Sequence, residues 1–153
     1  MMNIPYKTVL FLCSANYYRS RFAEHLFNHW AEQSGLEWRA DSRGLMVGHW
    51  GNIGPISPFT IEGLRQRGID PPANPRQPRQ LSAGDLVQSD LVVAVKEAEH
   101  RPAMMQLFPE WAKRIEYWHI DDLDCAGPDE ALATLEDAVR QLLRRLAPTA
   151  DAA

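Results

Sequence analysis

Cysteine is scarce in this sequence, and no long hydrophobic run is present. The 153 residues include two cysteines, Cys13 and Cys125, which are too few for a disulfide framework. The apolar stretch 9–13 is far shorter than the roughly 20 residues that a membrane-spanning helix needs, and residues 1–7 lack the pattern of a secretory signal. These absences predict a cytoplasmic protein with no membrane partner, in a reducing environment where free thiols stay reactive.

An excess of positive charge is also missing. Sixteen Lys and Arg residues are outnumbered by twenty Asp and Glu residues, for a formal net charge of −4, which argues against bulk electrostatic binding of nucleic acid. The five histidines show no spacing typical of a metal site. We therefore expect no nucleic-acid partner, metal or cofactor, and any anion has to be bound by a local site against a mildly acidic background.

The sequence does contain an alternation of apolar runs and helical patterns. Four segments are predicted to be strands: 9–12, 38–42, 90–95 and 114–118. Five segments are predicted to be helices: 19–33, 60–68, 81–88, 97–108 and 129–146. The fourth helix is expected to break or restart at Pro102. This order predicts a single doubly wound α/β domain over 1–153, with a four-stranded parallel sheet, helices on both faces and a frayed tail at 148–153.

Residues 13–20 form the most specific motif in the sequence. They read Cys-Ser-Ala-Asn-Tyr-Tyr-Arg-Ser, a C-x5-R-S pattern between a predicted strand and a predicted helix. A loop in this position can turn its backbone N–H groups inward and form an anion nest at the positive end of the helix. The same field favours the thiolate of Cys13, which is the nucleophilic form. Ligands bind at the carboxyl ends of parallel strands, where Cys13 lies.

Each loop residue has an expected role. The planar fork of Arg19 suits the equatorial oxygens of a phosphoryl group, the hydroxyl of Ser20 can donate to the sulfur, and Asn16 tolerates unusual backbone angles. The other loop residues are expected to bind phosphate through the loop backbone: Ser14, Ala15, Tyr17 and Tyr18. The alternative is a buried cysteine and an unrelated arginine, since the pattern arises by chance in about one such chain in a hundred.

The motif resembles the low-molecular-weight protein tyrosine phosphatase family, which shares a superfamily with thioredoxin-coupled arsenate reductases. In that family a hydrophobic strand precedes C-x-x-N-x-x-R-S, here 13–20. Ser42 matches a family serine that supports the loop asparagine, and 79–81, 90–93 and the last helix also match. The resemblance implies a flavodoxin-like fold of the phosphotyrosine phosphatase I type and a monomer or weak dimer. It also implies a phosphorylated protein or small aryl phosphate as substrate.

The family also places a general acid late in the chain, an aspartate usually followed by proline. The resemblance aligns Asp122 with this acid and Leu123 with the proline, while Asp121 and Asp124 are close competitors. Crowding of the three carboxylates favours the protonated form of one of them, as the first catalytic step requires. The alternative is that these residues form only a solvated acidic turn.

Several residues depart from the family pattern. Asp124 stands where an aromatic residue often forms a wall of the substrate cleft, and Tyr18 stands where a second cysteine can form a protective disulfide. Tyr17 and Trp50 are candidate replacement walls, or ordinary loop or core aromatics. His100 is expected either near the site or in a structural role.

The expected activity is hydrolysis of phosphomonoesters, phosphotyrosine or other aryl phosphates, through a phosphocysteine on Cys13. One alternative is an arsenate reductase that uses an external thiol. Here the segment after the third strand lacks the two further cysteines of the thioredoxin-coupled enzymes, and Cys125 lies close to the acid segment. A second alternative is a catalytically weak module that binds phosphate or a phosphoprotein. A third alternative, a flavodoxin-like protein that binds a nucleotide, is disfavoured because a flavin phosphate cradle does not need Cys13 and Arg19 together.

Overall fold

Residues 6–122 and 127–148 are the residues that the computed structural model describes. They form four strands and five helices, which alternate except that α2 and α3 are consecutive. The strands are β1 (Lys7–Cys13), β2 (Trp38–Gly44), β3 (Leu91–Ala94) and β4 (Glu116–Tyr117). The helices are α1 (Arg19–Gln33), α2 (Pro58–Gln66), α3 (Ala83–Gln88), α4 (Glu97–Leu107) and α5 (Pro128–Leu146). Every predicted element is present, although β4 is shorter than predicted and β2 extends two residues further, to Gly44.

The strands form one parallel sheet in the order β2-β1-β3-β4. This result confirms the predicted α/β class and the predicted four-stranded parallel sheet. Strand β1 lies between β2 and β3, and Cys13 at its end is in register with Gly44 of β2. The strand order reverses at β1, and the carboxyl edge beside such a reversal is where doubly wound sheets bind ligands.

Helices cover both faces of the sheet. Val9 and Phe11 point into a core shared with α1, α2 and α5, while Leu10 and Leu12 point into a second core shared with α3 and α4. Burial on both faces explains why β1 is an unbroken apolar run. Burying a side chain the size of Leu12 or Phe11 contributes about 1.5–3 kcal/mol, so these cores hold the end of β1 firmly in place.

Helix α4 runs without a break through Pro102, so the predicted interruption at this proline was wrong. The missing N–H of Pro102 removes one helical hydrogen bond. The turns on either side are nevertheless anchored, because the N–H of His100 donates to the carbonyl of Lys96 at 2.8 Å and Met104 is fully buried. Tertiary packing therefore outweighs the local preference of the proline.

Several predictions fall on residues that the structure does not describe. Leu123, Asp124 and Cys125 lie outside the described ranges, as does the predicted tail beyond position 148. Within 6–122 and 127–148, no helix is both long enough and apolar enough to cross a membrane.

Candidate active site

The loop at 14–18, between β1 and α1, is the centre of the candidate site. Backbone N–H groups of neighbouring segments donate at 2.9 Å to carbonyls of the loop and of the last residue of β1: Leu45 to Cys13, Met46 to Ser14, and Ser57 to Tyr17. Within the described ranges, no backbone N–H of residues 14–18 donates to another protein group, and α1 begins without a side-chain cap. The loop therefore presents unpaired donors at a helix N-terminus, the arrangement that binds anions.

Asn16 holds the loop in an unusual backbone shape. Its φ of 52° lies in the left-handed region, which asparagine tolerates better than most residues. The buried side-chain amide donates to the hydroxyls of Ser20 and Ser42, each at 2.9 Å. Its oxygen accepts from Nη1 of Arg76 at 2.9 Å and from the backbone N–H of Arg79 at 3.0 Å. Both donor hydrogens and both acceptor positions of the amide are thus used.

Arg76 is a loop-supporting residue that the sequence did not reveal. Besides Asn16, its guanidinium contacts the carboxylates of Glu24 at 3.2 Å and Asp41 at 3.1 Å. It also donates to the carbonyl of Ser42 at 2.8 Å. Burial raises the pKa of Glu24, against the opposing hydrogen bond from Ser42. Arg76 lies in a proline-rich segment predicted only as a loop, with no pattern that marks it as a partner of Asn16.

The sulfur of Cys13 is tied into the same network. Sγ lies 2.8 Å from the hydroxyl oxygen of Ser20, and Cys13 is only 2% exposed. Because a thiolate carries no hydrogen, Ser20 must be the donor when Cys13 is ionised. Ser20 also accepts from Asn16, so a continuous hydrogen-bond chain runs from Arg76 through Asn16 and Ser20 to the sulfur.

Arg19 is buried beside Cys13 with an exposed fraction of 2%. Its Nη1 donates to the carbonyl of Ile120 at 3.0 Å, and its Nη2 contacts Glu99 at 2.8 Å and Asp122 at 3.4 Å. Burial opposes the charged form of Arg19, but the neighbouring sulfur and carboxylates outweigh it and raise its pKa. The guanidinium is therefore a permanent cation in the candidate site.

Glu99, at the start of α4, is a second residue that the sequence did not reveal. Its carboxylate accepts hydrogen bonds from Arg19, Ser14 and His100. Burial favours its protonated form, but the hydrogen bonds from His100 and Arg19 prevail and hold the pKa of Glu99 well below its usual range. His100 is fully buried beside it, which places this predicted neighbour of the site against its wall.

A cavity of about 340 Å³ opens over the loop. It is lined by Cys13, Ser14, Ala15, Tyr17, Tyr18, Arg19, Trp50, Asn52, Ser57 and Asp122. The predicted nucleophile, arginine and acid thus share one cavity, while Asn16, Ser20 and Ser42 lie behind the loop as supports. Asp121 instead pairs with Lys96 at 2.9 Å, and Asp124 lies outside the described residues.

Aromatic side chains form the cavity walls. The hydroxyl of Tyr17 donates to the carbonyl of Ile53 at 2.6 Å, and the indole of Trp50 donates to the carbonyl of Met46 at 2.9 Å. Burial raises the pKa of Tyr18 to about 12, with a further contribution from Asp122. The Tyr18 hydroxyl is buried without a hydrogen-bond partner in the described structure.

Among the described residues, no group of three or more His, Cys, Asp and Glu side chains could hold a metal ion.

The fold and the loop together agree with a known protein family. The family model described as "Low molecular weight phosphotyrosine protein phosphatase" matches residues 8–151. The chain therefore belongs to the low-molecular-weight phosphotyrosine protein phosphatase family, whose members are phosphomonoester hydrolases. This membership confirms the resemblance that the C-x5-R-S loop indicated.

Two curated relatives support the assignment. The low-molecular-weight phosphotyrosine protein phosphatase of Schizosaccharomyces pombe is 32% identical over 134 residues, covering 79% of this chain and 83% of the relative. The low-molecular-weight protein-tyrosine-phosphatase YfkJ of Bacillus subtilis is 39% identical over 90 residues. That alignment covers 58% of this chain and 55% of YfkJ, so it spans little more than half of that relative's length.

Solved structures share the fold. The crystal structure of Bacillus subtilis YfkJ has a TM-score of 0.78 at 27% identity, covering 92% of this chain and 94% of that one. The low-molecular-weight protein tyrosine phosphatase from T. tengcongensis has a TM-score of 0.76 at 25% identity, covering 92% of this chain and 99% of that one. Wzb of Vibrio vulnificus in complex with benzylphosphonate has a TM-score of 0.76 at 20% identity, covering 92% of this chain and 99% of that one. At this identity the likeness concerns the fold alone.

Proposed function

We propose that this chain hydrolyses phosphomonoesters of the phosphotyrosine or aryl phosphate type through a phosphocysteine intermediate on Cys13. The observation that carries the proposal is that Cys13, Arg19 and Asp122 line one cavity around a loop of unpaired backbone N–H groups. A nucleophile, a cation and a carboxylate are the three groups that the two-step reaction needs.

In the first step, Sγ of Cys13 attacks phosphorus and forms the S–P bond while the P–O bond to the leaving group breaks. Arg19 and the loop N–H groups stabilise the negative charge on the equatorial oxygens. Asp122 gives its proton to the leaving oxygen, and Ser20 stabilises the sulfur by donating to it. In the second step, Asp122 takes a proton from water, which attacks phosphorus and releases phosphate and the thiolate.

The contacts of the acidic residues favour Asp122 as the acid. Asp122 lines the cavity and reaches Arg19 at 3.4 Å, whereas Asp121 pairs with Lys96. A general acid has to reach the leaving oxygen, so a carboxylate on the cavity wall is the better placed of the two.

The cavity suits an aromatic phosphate ester. Its volume of about 340 Å³ lies at the lower end of the range of small-molecule sites. Tyr17 and Trp50 supply ring surfaces that can flank a phenyl group. The benzylphosphonate bound to Wzb has the same combination of a ring and a phosphorus oxyanion. An aryl phosphate is therefore the substrate class to test first.

The test is hydrolysis of 4-nitrophenyl phosphate between about pH 5 and 7 by the wild type and three variants. We expect Cys13→Ser to abolish turnover, because a serine hydroxyl is not ionised here. Asp122→Asn should lower kcat by about 10²–10⁴-fold. Asp121→Asn, the matched control one residue away, should retain most of the activity. Rapid mixing of the wild type should show a burst of nitrophenol before steady turnover.

Other outcomes would redirect the proposal. Equal losses in Asp121→Asn and Asp122→Asn would remove the acid assignment. No wild-type turnover, with inorganic phosphate still binding, would favour a phosphate-binding module. Arsenate-dependent oxidation of an added small thiol, without phosphatase turnover, would favour an arsenate reductase.

A further inference from the structure

One oxygen of Glu99 joins the two ends of the loop. Oε2 accepts the hydroxyl hydrogen of Ser14, the first loop residue, and lies 2.8 Å from Nη2 of Arg19, where α1 begins. Nε2 of His100 is 3.0 Å from the same oxygen. Three donors from two segments of the chain thus converge on one carboxylate atom.

The hydrogen-bond network assigns the tautomer of His100. The backbone N–H of Lys96 donates to Nδ1 of the ring at 3.1 Å, so Nδ1 carries no hydrogen. The proton of the neutral ring is therefore on Nε2, the nitrogen that faces Glu99. His100 is fully buried, and burial lowers its pKa. A neutral imidazole thus stands behind Glu99 and donates to it.

Glu99 approaches Arg19 from outside the substrate cavity. Asp122 lines that cavity, whereas Glu99 does not, although both carboxylates contact Nη2. A guanidinium has five N–H groups. The bonds to Ile120 and Glu99 use one on Nη1 and one on Nη2, and Asp122 contacts Nη2 as well, which leaves Nε and the second N–H of Nη1 for a phosphoryl group. A phosphoryl group in the cavity therefore does not need Glu99 to move away.

We infer that Glu99, supported by His100, is a positioning residue that fixes Arg19 and Ser14 in the phosphate-binding geometry before substrate arrives. The expected effect of Glu99 on turnover rests on the proposed phosphatase reaction, whereas its expected effect on anion binding does not. Donors held in place in advance need no reorganisation during the reaction. Displacing such a group by about 1 Å can lower the rate by about 10²-fold.

The test compares Glu99→Ala and Glu99→Gln with Glu97→Gln, whose half-exposed carboxylate pairs with Arg101 in the same helix. Three quantities are measured: kcat and KM for 4-nitrophenyl phosphate, the Kd of inorganic phosphate by calorimetry, and Tm. In Glu99→Ala we expect kcat to fall by about 10²-fold and phosphate to bind about 10-fold more weakly. Glu99→Gln should lie between this variant and the wild type, because its amide oxygen keeps an acceptor without the charge. Glu97→Gln should match the wild type.

If the wild type is active, two outcomes would overturn the inference. Tighter phosphate binding with unchanged or higher kcat in Glu99→Ala would make Glu99 a competing counter-ion. A lower Tm with wild-type kcat and phosphate affinity in folded Glu99→Gln would make it a purely structural residue. If the wild type itself shows no turnover, the proposed function fails, but the phosphate titrations still decide whether Glu99 positions the loop: weaker binding in both variants supports this role, and unchanged binding refutes it.

Discussion

The hydroxyl oxygen of Ser20 lies 2.8 Å from the sulfur of Cys13, and both residues are buried. A hydrogen bond donated by Ser20 stabilises negative charge on the sulfur, so Ser20→Ala should make Cys13 a weaker nucleophile. We expect alkylation of Cys13 by iodoacetamide at pH 6 to slow by about 10-fold, since one charge-assisted hydrogen bond contributes about 1.5–3 kcal/mol. The rate of nitrophenyl phosphate hydrolysis should fall at least as much.

The control for this change is Ser34→Ala. Ser34 follows the last residue of α1, and its hydroxyl donates to the carbonyl of Trp30 at 2.9 Å, far along the chain from Cys13. Ser34→Ala should leave the rate of Cys13 alkylation and the rate of nitrophenyl phosphate hydrolysis unchanged. If Ser20→Ala were alkylated as fast as the wild type, the contact between Ser20 and the sulfur would have no part in activating it.

Gly44 is packed against the loop so closely that a side chain does not fit. An added Cβ would lie 2.8 Å from the carbonyl oxygen of Ser14, 3.0 Å from the backbone nitrogen of Asn16, and 2.5 Å from a methyl carbon of Val47. Two of these are backbone atoms of the loop at 14–18, so Gly44→Ala should displace the loop. We expect a loss of about 1–3 kcal/mol in the free energy of unfolding by urea and weaker binding of inorganic phosphate.

Gly84→Ala is the matched control. Gly84 lies in α3, where the nearest atom to an added Cβ is the hydroxyl of Ser82 at 3.8 Å. Alanine in a helix should raise the free energy of unfolding by about 0.5–1 kcal/mol without changing phosphate affinity. Wild-type phosphate binding by Gly44→Ala would contradict the close packing of the loop against β2.

The parts of the site that the sequence reveals without a family resemblance are those that lie close together in the chain, whereas Ser42 and Asp122 were identified only through that resemblance. Cys13, Asn16, Arg19 and Ser20 fall within eight positions between a strand and a helix, so one loop carries the pattern. Arg76 and Glu99 could not be found in this way. Their contacts with Asn16 and Arg19 span 60 and 80 residues, and they exist only because the fold brings separate segments to the same edge of the sheet.

The helices also show that local signals can be predicted from the sequence, whereas the effects of tertiary packing cannot. The boundaries of α1 agree with the prediction because the apolar periodicity and the following Gly35 are local signals. The break predicted at Pro102 was wrong because the burial of His100 and Met104 depends on packing against the sheet, which no local pattern contains.

Replacing Arg76 with lysine should weaken the support of the loop. Its planar fork reaches Asn16, Ser42 and two carboxylates at once, and a lysine ammonium cannot reproduce this geometry. We expect Arg76→Lys to lower kcat for nitrophenyl phosphate by about 10-fold and to lower stability by about 1–3 kcal/mol, because buried acceptors lose partners. Both are measurable by steady-state kinetics and urea unfolding.

The comparison variant is Arg65→Lys, an exposed position in the last turn of α2. It should change neither quantity, since surface substitutions of this kind stay within about 0.5 kcal/mol. Unaltered kcat in Arg76→Lys would mean that Asn16 keeps the loop in shape without the arginine.

The stability of the protein should fall as the pH drops from about 6.5 to 4, and His25 is one cause. Burial, together with the nearby positive charges of Arg21 and Arg76, lowers the pKa of His25 to about 4. Above pH 6.5 the imidazole is neutral in both the folded and the unfolded chain. As the pH falls below 6.5, the unfolded chain binds the proton first, so the free energy of unfolding decreases until the pH passes the folded pKa.

Urea unfolding of the wild type and of His25→Gln at pH 7.5 and pH 5 tests this. Glutamine does not titrate, so the loss of stability between the two pH values should be smaller in the variant. It should not vanish, because burial also lowers the pKa of His100, while Glu24 acts in the opposite sense because burial raises its pKa. His29→Gln, on the same helix, is the control. An equal loss in His25→Gln and the wild type would mean that His25 binds its proton equally well in both states.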